Sequence, residues 1–210
     1  MSNARLAQLL EQAELTSLTP DALERFDCYL DLLLKWNSRL NLTAIRDPET
    51  ILRRHFVECI QCAQALPKIE SPTLLDFGSG AGLPGIPIAI CRPEIRVTLA
   101  ESQRKKAAFL REAVRTLALS AEVFDGRVEN MPEDLRFDVV TLRAVDRMWE
   151  ACETVSSRLN PGGWMVVFST SEAKLELKQV LPSILWLREI RSVGLDQGLL
   201  LLGQRPRPAR

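Results

Sequence analysis

The amino-acid sequence predicts a doubly wound α/β fold with a mostly parallel sheet, preceded by an N-terminal helical extension. Two observations support this prediction. From Thr73 onward, short runs that are continuous in Val, Leu and Ile alternate with helical stretches, as in a parallel sheet covered on both faces. Before Thr73 the apolar residues recur at helical spacing instead.

The first third of the chain is predicted to be helical. Thr19 is a suitable N-cap in front of Pro20, a residue that favours the first helical position. Asp47 and Pro48 repeat this start signal, and the helix that they begin is expected to end at Pro67. One face of that helix is predicted to carry Leu52, Phe56, Ile60 and Ala63.

Five strands and then a weaker pattern are predicted after residue 72. The strands are the apolar runs at 73–77, 97–101, 121–124, 138–142 and 164–168. A charged stretch at 172–178 is expected to form a helix, and the runs at 184–193 and 198–202 are expected to supply edge strands. The basic, Pro-rich residues 204–210 are predicted to form a flexible tail.

Length and composition favour one domain, residues 1–210, in which a helical extension (1–68) precedes an α/β core (69–203). Lys and Arg together number 27, as do Asp and Glu, so any RNA site must be a local patch.

The odd number of cysteines, five, and the absence of a secretory signal predict a reduced, cytoplasmic protein. No metal site is expected, because the chain has one histidine and one close cysteine pair, Cys59 and Cys62. No apolar run is long enough for a membrane helix.

A glycine-rich loop follows the first predicted strand and precedes a helix. Residues 76–85 read DFGSGAGLPG, and glycines there let the backbone approach a ligand closely. Glu101 ends the next strand, where a carboxylate can accept hydrogen bonds from both hydroxyls of a ribose. Leu83 stands where the third glycine of a dinucleotide motif would be, which argues against NAD. From these residues alone, a connecting turn and a solvated acid stay open as alternatives.

The alternating glycines resemble the cofactor loop of class I S-adenosylmethionine methyltransferases, in which the loop passes the methionine moiety. The turn LNPGG at 159–163 is also similar to theirs. In such an enzyme, the residues after the fourth strand report on the atom that is methylated. Residues 141–144 read TLRA, without the Asn/Asp-Pro-Pro-aromatic segment that usually holds an exocyclic amine. None of the cysteines follows a proline, as the nucleophile for methylation of pyrimidine carbon usually does.

A ring nitrogen such as guanine N7 is an acceptor that requires neither the amine-binding segment nor the cysteine nucleophile. Its in-plane lone pair bears no proton, so no general base is needed, and catalysis rests on alignment and desolvation of the reactants. No catalytic residue is therefore assigned. Arg143 is a candidate for positioning the substrate or the cofactor, and a surface residue at a strand end is the alternative.

Several segments together resemble one family, the RsmG (GidB) methyltransferases, which modify guanine 527 at N7 in the 530 loop of 16S ribosomal RNA. The matching segments are WN at 36–37, NLTAIRDP at 41–48, RH at 54–55, GSGAGLPGIP at 78–87, RPE at 92–94, residues 105–110, RVE at 127–129 and RA at 143–144. The resemblance implies a class I methyltransferase fold, S-adenosylmethionine as the cofactor and the same guanine as the substrate.

The resemblance also implies a set of cofactor-binding residues. Gly78 and Leu83 would line the methionine side, Glu101 would hold the ribose, and Arg143 would close the pocket. The full set is Gly78, Gly80, Gly82, Leu83, Glu101, Arg127, Val128, Glu129 and Arg143, with Val128 and Glu129 at the adenine.

The chain departs from the family pattern at two places. Glu58 and Cys59 replace an Asp-Ser pair. His55 and Glu58 share a helix face, so they contact either RNA or each other. Residues 168–170 read FST where the family often has Leu-Lys-Gly, so a role for that lysine does not carry over to this chain.

Basic residues outside the loop are candidates for contact with RNA. Arg104, Arg111 and Arg115 form one face of the helix after the second strand, which either meets phosphates or is a solvated surface. The N-terminal helices offer a second platform with Arg53 and Arg54. The candidates chosen for RNA contact are Arg54, His55, Arg104 and Arg111.

The expected partner is 16S ribosomal RNA, naked or in the small subunit, bound by a monomer that contacts neither DNA nor a membrane. Two other functions stay open, namely methyl transfer to a small molecule or a protein on the same fold and a non-catalytic role in assembly. The segments at 41–47 and 54–55 favour RNA, because they lie outside the cofactor core.

Overall fold

The computed structural model describes residues 2–70, 72–145, 147–193 and 198–208. Its strands are β1 (Thr73–Phe77), β2 (Arg96–Glu101), β3 (Ala121–Asp125), β4 (Phe137–Leu142), β5 (Leu159–Thr170), β6 (Leu185–Arg191) and β7 (Gly198–Gln204). Its α-helices are α1 (Ser2–Gln12), α2 (Pro20–Leu40), α3 (Pro48–Ile51), α4 (Val57–Ala65), α5 (Gly85–Cys91), α6 (Arg104–Thr116), α7 (Met148–Ser156) and α8 (Ala173–Val180).

The strands form one sheet in the spatial order β3-β2-β1-β4-β5-β7-β6. The first five strands run parallel, whereas β7 runs antiparallel to both β5 and β6. The chain passes from β1 outward to β3 and then returns to the other side of β1 with β4, so β1 and β4 meet at the point where the strand order reverses. Ligands of such sheets bind outside the carboxyl ends of the strands at this point. The predicted doubly wound, mostly parallel sheet is confirmed.

Alternate residues of the strands face two apolar layers. Leu74 packs in the layer formed with α1, α2, α4, α5 and α6, whereas Leu75 packs on the other side with residues of α7 and α8. Strand geometry explains this division, because successive side chains point to opposite faces of a sheet. Within the described ranges, no helix is both long and apolar enough to cross a membrane.

The N-terminal helices begin where the sequence predicts. The side chain of Thr19 accepts a hydrogen bond from the Ala22 N–H, and that of Asp47 accepts one from the Thr50 N–H. The second helix runs on from α3 through a π-helical segment (Leu52–Phe56) into α4, and its predicted face is buried. The π-helical segment is not predicted by apolar spacing, and it shifts the helical register next to the cavity described below.

Three predictions about the C-terminal part differ from the structure. Residues 198–202 belong to an interior strand, because β7 pairs on both sides, with β5 and with β6. β5 begins at Leu159, before the predicted residue 164. Gln204 ends β7, and Arg205 exchanges backbone hydrogen bonds with Gly162 and Gly163. Gln204 and Arg205 are therefore not part of a flexible tail. Residues 209–210 lie outside the described ranges.

Candidate active site

A cavity of about 770 Å³ lies at the carboxyl ends of β1, β2 and β4. The predicted cofactor residues that line it are Gly78, Gly80, Leu83, Glu101, Arg127, Val128, Glu129 and Arg143. Thr43, His55 and Lys106 line it as well. The cavity is therefore formed by the glycine loop after β1, by the ends of β2 and β4 on either side of β1, and by the segment before α3.

The glycine loop turns under the cavity through residues with positive φ. Gly78 and Gly80 have φ values of +67° and +55°, a region that residues with a Cβ adopt only at a cost. The Ser79 N–H donates to the carbonyl of Ala100 (2.9 Å), which ties the loop to β2. Its backbone is thus held against the neighbouring strand and exposed to the cavity.

The structure places Gly82 differently from the sequence prediction. Its φ is +85°, but it is not among the residues that line the cavity. A Cβ there would lie 2.4 Å from Ile86 Cδ1 and 3.2 Å from Leu110 Cδ2. The glycine therefore lets the loop pack against α5 and α6 rather than against a ligand.

Glu101 is buried at the end of β2 and faces the glycine loop. Its Oε2 accepts a hydrogen bond from the Gly80 N–H (3.0 Å), and its Oε1 accepts one from the Gln103 N–H (2.7 Å). A carboxylate offers about four lone-pair sites, so each oxygen keeps one site for a further donor. The loop and the acid, predicted as partners, lie in direct contact.

Sequence reasoning assigned no role to the two side chains that support the loop, although Asp76 is the first residue of the glycine motif. Asp76 is 1% exposed; its Oδ1 accepts from the Thr141 hydroxyl (2.8 Å) and its Oδ2 from the Gly85 N–H (3.2 Å). Burial raises the pKa of Asp76 to about 6, although these hydrogen bonds oppose the rise. The hydroxyl of Tyr29 on α2 donates to the carbonyl of Ala81 (2.6 Å). A Tyr within a buried helical stripe was the available signal, because a buried phenol needs a hydrogen-bond partner.

Arg143, the residue after β4, joins the sheet to the N-terminal helices. Its Nε and Nη2 both donate to Glu58 Oε2, at 3.1 and 2.9 Å. Its Nη2 also lies 2.9 Å from Nδ1 of His55. His55 and Glu58 thus share a common partner in Arg143, which neither alternative from the sequence includes. The ring of Phe168, at one of the departures from the family pattern, lies 5.6 Å from the Arg143 guanidinium carbon.

His55 is buried, 9% exposed, and both of its ring nitrogens have partners. Burial and the neighbouring Arg143 lower the pKa of His55 to about 4. The imidazole is therefore neutral near pH 7 and does not offer a positive charge to a phosphate.

The other three candidates for RNA contact are exposed. The carbonyl of Arg54 lies 3.4 Å from Arg143 Nη2, which places Arg54 beside the cavity. Arg104 begins α6, directly after the turn that leaves β2. Arg111 lies farther along α6 and forms an ion pair with Asp125 (2.8 Å).

Relatives of known name match much of the chain. Residues 22–191 match the family model GidB, described as rRNA small subunit methyltransferase G. Ribosomal RNA small subunit methyltransferase G of Xanthomonas campestris pv. campestris (strain B100) is 46% identical over 136 residues, 64% of this chain and 63% of the relative. The protein of the same name from Neisseria gonorrhoeae (strain NCCP11945) is 42% identical over 159 residues, 73% of this chain and 75% of the relative.

A solved structure supports the fold independently. A SAM-dependent methyltransferase from Aquifex aeolicus superimposes with a TM-score of 0.61 at 16% identity, over 76% of this chain and 94% of the other. The fold is that of the class I S-adenosylmethionine-dependent methyltransferases. With this fold and a family model that matches most of its length, the chain belongs to the GidB family, rRNA small subunit methyltransferase G.

Proposed function

We propose that this protein transfers a methyl group from S-adenosylmethionine to N7 of guanine 527 in 16S ribosomal RNA. The contact between the Glu101 carboxylate and the Gly80 backbone is the observation that carries the proposal. It lies at the carboxyl end of β1, one of the two strands between which the strand order reverses. Both residues line a cavity of about 770 Å³, a size typical of small-ligand sites. Membership of the family supports the choice of substrate.

The residues of the cavity fit this cofactor. Glu101 would accept hydrogen bonds from the ribose hydroxyls through the lone pairs that its backbone contacts leave. Val128 and Glu129, in the short 3-10 helix (Val128–Asn130) after β3, would border the adenine. Gly78, Gly80 and Leu83 would line the methionine side, because they form the cavity wall at the end of β1.

The acceptor would enter on the β4 side of the glycine loop. S-adenosylmethionine supplies an electrophilic methyl group, which guanine N7 can accept through its in-plane lone pair without losing a proton. No base is needed for this transfer, and the residues there offer none: Arg143 is a cation held by Glu58, and both ring nitrogens of His55 already have hydrogen-bond partners. The role of Arg143 and His55 is to position the guanine and to exclude water.

Residues 1–210 are proposed to act as one methyltransferase domain and as a monomer. The contact between Tyr29 and Ala81 supports the first part, because it connects the helical extension to the cofactor loop. The contact of Arg143 with Glu58 does the same on the β4 side.

The proposal is tested by methyl transfer from labelled S-adenosylmethionine to small subunits from cells that lack this protein. We expect label in 16S ribosomal RNA at guanine 527, mapped by cleavage at N7-methylguanine, and none in subunits whose guanine is already modified. Label in a protein or a free metabolite, with none in the RNA, would support the alternative substrates. No transfer to any of these acceptors would support a non-catalytic role.

A further inference from the structure

The hydroxyl of Thr43 has a hydrogen-bonding pattern that its neighbours determine. Thr43 lies between α2 and α3 and lines the cavity. Its segment is held by Asn37, whose Oδ1 accepts from the Thr43 N–H (2.9 Å) and whose Nδ2 donates to the carbonyl of Ile45 (3.3 Å). Asn37 is itself buried, so the position of Thr43 is fixed from within the fold.

The protonated nitrogen of His55 follows from its two contacts. A guanidinium only donates hydrogen bonds, so His55 Nδ1 must accept the one from Arg143 (2.9 Å). A neutral imidazole then carries its proton on Nε2. That Nε2–H points at Thr43 Oγ1 (2.9 Å) and donates to it.

The Thr43 oxygen is consequently fully used as an acceptor. Besides the His55 proton, Oγ1 accepts the N–H of Ile45 (3.2 Å), and a hydroxyl oxygen has two lone pairs. Only the hydroxyl proton of Thr43 is left, and no described residue accepts it. Because Thr43 lines the cavity, that proton is available to a ligand there, and the hydroxyl can act only as a donor.

Thr43 also lies on the side of the cavity where the acceptor would bind. In the sheet, β2 and β4 flank β1, so Glu101 and Arg143 stand on opposite sides of the glycine loop. Thr43 is linked through His55 to Arg143, on the β4 side. The ribose of the cofactor would be at Glu101, on the other side.

Resting on the proposed function, we propose that the Thr43 hydroxyl donates a hydrogen bond to O6 of the target guanine and so selects guanine over adenine. The edge of guanine that carries N7 presents two acceptors, N7 and O6, whereas adenine presents N7 and the N6 amino donor. A hydroxyl with both lone pairs occupied pairs with O6 and leaves an amino group opposite a donor. Arg143 and His55 act through Thr43 in this selection, as positioning residues.

The test compares substrates that differ at O6 within each variant. Small subunits are reconstituted with guanine, inosine or 2-aminopurine at position 527; all three keep N7, and 2-aminopurine lacks O6. For the wild type we expect kcat/KM to be about tenfold higher with guanine or inosine than with 2-aminopurine, as one hydrogen bond allows. Thr43→Val should reduce that ratio to within about twofold, and Thr43→Ser, which keeps the hydroxyl, should restore it.

The ratio is insensitive to the amount of folded enzyme, so partial misfolding of Thr43→Val does not obscure the result. An unchanged preference for guanine in Thr43→Val, or no preference in the wild type, would overturn the role of Thr43 while leaving the proposed function in place. Failure of the wild type to methylate the guanine substrate would instead overturn the proposed function itself.

Discussion

Gly80 and Gly82 stand two residues apart in one loop but face different surroundings. A Cβ on Gly80 would have only the Gly78 carbonyl nearby, at 3.7 Å, and would otherwise enter the cavity. Gly80→Ala should therefore cost about 1–2 kcal/mol of stability for its positive φ and weaken binding of S-adenosylmethionine at least tenfold. Gly82→Ala adds a clash with Ile86, and we expect about 2–4 kcal/mol of destabilisation with near-normal affinity in the folded fraction.

Urea unfolding and calorimetric titration separate these two effects. The opposite pattern, in which Gly82→Ala loses affinity without losing stability, would show that the cavity has been assigned to the wrong face of the loop.

His55, the sole histidine of the chain, should make the stability of the protein depend on pH. Its pKa is lowered from 6.5 to about 4 in the folded protein, so the unfolded chain binds the proton more tightly. The contribution of His55 to the free energy of unfolding is therefore fully present above about pH 6.5 and is lost as the pH falls towards 4. The slope of this loss approaches about 1.4 kcal/mol per pH unit. Asp76, with its pKa raised to about 6, contributes the opposite trend between about pH 4 and 6.

Comparison with His55→Gln isolates the histidine contribution, since the Asp76 contribution is common to both proteins. We expect the wild type to lose about 2–3 kcal/mol relative to the variant between pH 6.5 and 4. Nitrogen NMR of the single imidazole should show a neutral ring at pH 6 with the proton on Nε2. A titration midpoint near 6.5, or a proton on Nδ1, would contradict the network around Arg143.

At the scale of elements, helix α2 supports the cofactor loop through one hydrogen bond. Tyr29→Phe keeps the stacking on Phe56, whose ring centroid lies 5.0 Å away, but leaves the buried Ala81 carbonyl without its donor. We expect about 1–3 kcal/mol of destabilisation and a severalfold weaker affinity for S-adenosylmethionine. Ser38→Ala removes an exposed hydroxyl-to-carbonyl bond on the same helix and should change stability by less than about 0.5 kcal/mol. Equal effects of the two variants would argue against this support.

Local patterns predicted most elements, but not the pairings that depend on distant residues. Strands β1, β2 and β4 were recognisable because both of their faces are largely buried, which leaves a continuous apolar run. The edge strand β3 has no buried residue, and its signal was the short apolar run alone. The run at 198–202 was equally clear, yet its interior position arises from pairing with both β5 and β6, and no local pattern encodes a partner. The same reason applies to the active site. The contact of the loop with Glu101 follows from adjacent strands, whereas Thr43, His55 and Arg143 meet only in the folded chain.

For the whole molecule, balanced charge places RNA recognition in local patches, since 27 basic residues face 27 acidic ones. Arg54 lies beside the cavity and Arg104 begins the helix next to it. Arg54→Ala and Arg104→Ala should each weaken binding to small subunits severalfold and lower the salt slope by about one. Arg111→Ala should matter less, because Asp125 already neutralises that side chain.

Arg96 provides the matched control for these substitutions. It is exposed at the amino end of β2, opposite the cavity. Filter binding between about 50 and 200 mM salt should show no change in affinity for Arg96→Ala. Affinity that depends on phosphate contacts falls steeply across this range of salt concentrations. A uniform loss in all four variants would indicate that binding does not depend on the face that carries the cavity.

Calorimetric titration with S-adenosylmethionine tests most directly whether the cavity between the glycine loop and Glu101 is the cofactor site. We expect the wild type to bind one molecule per chain and Glu101→Ala to bind at least tenfold more weakly, since hydrogen bonds to a charged group contribute about 1.5–3 kcal/mol. Glu94→Ala, which removes an exposed acid outside the cavity, should bind like the wild type. Absence of binding by the wild type, or unchanged affinity in Glu101→Ala, would contradict this account.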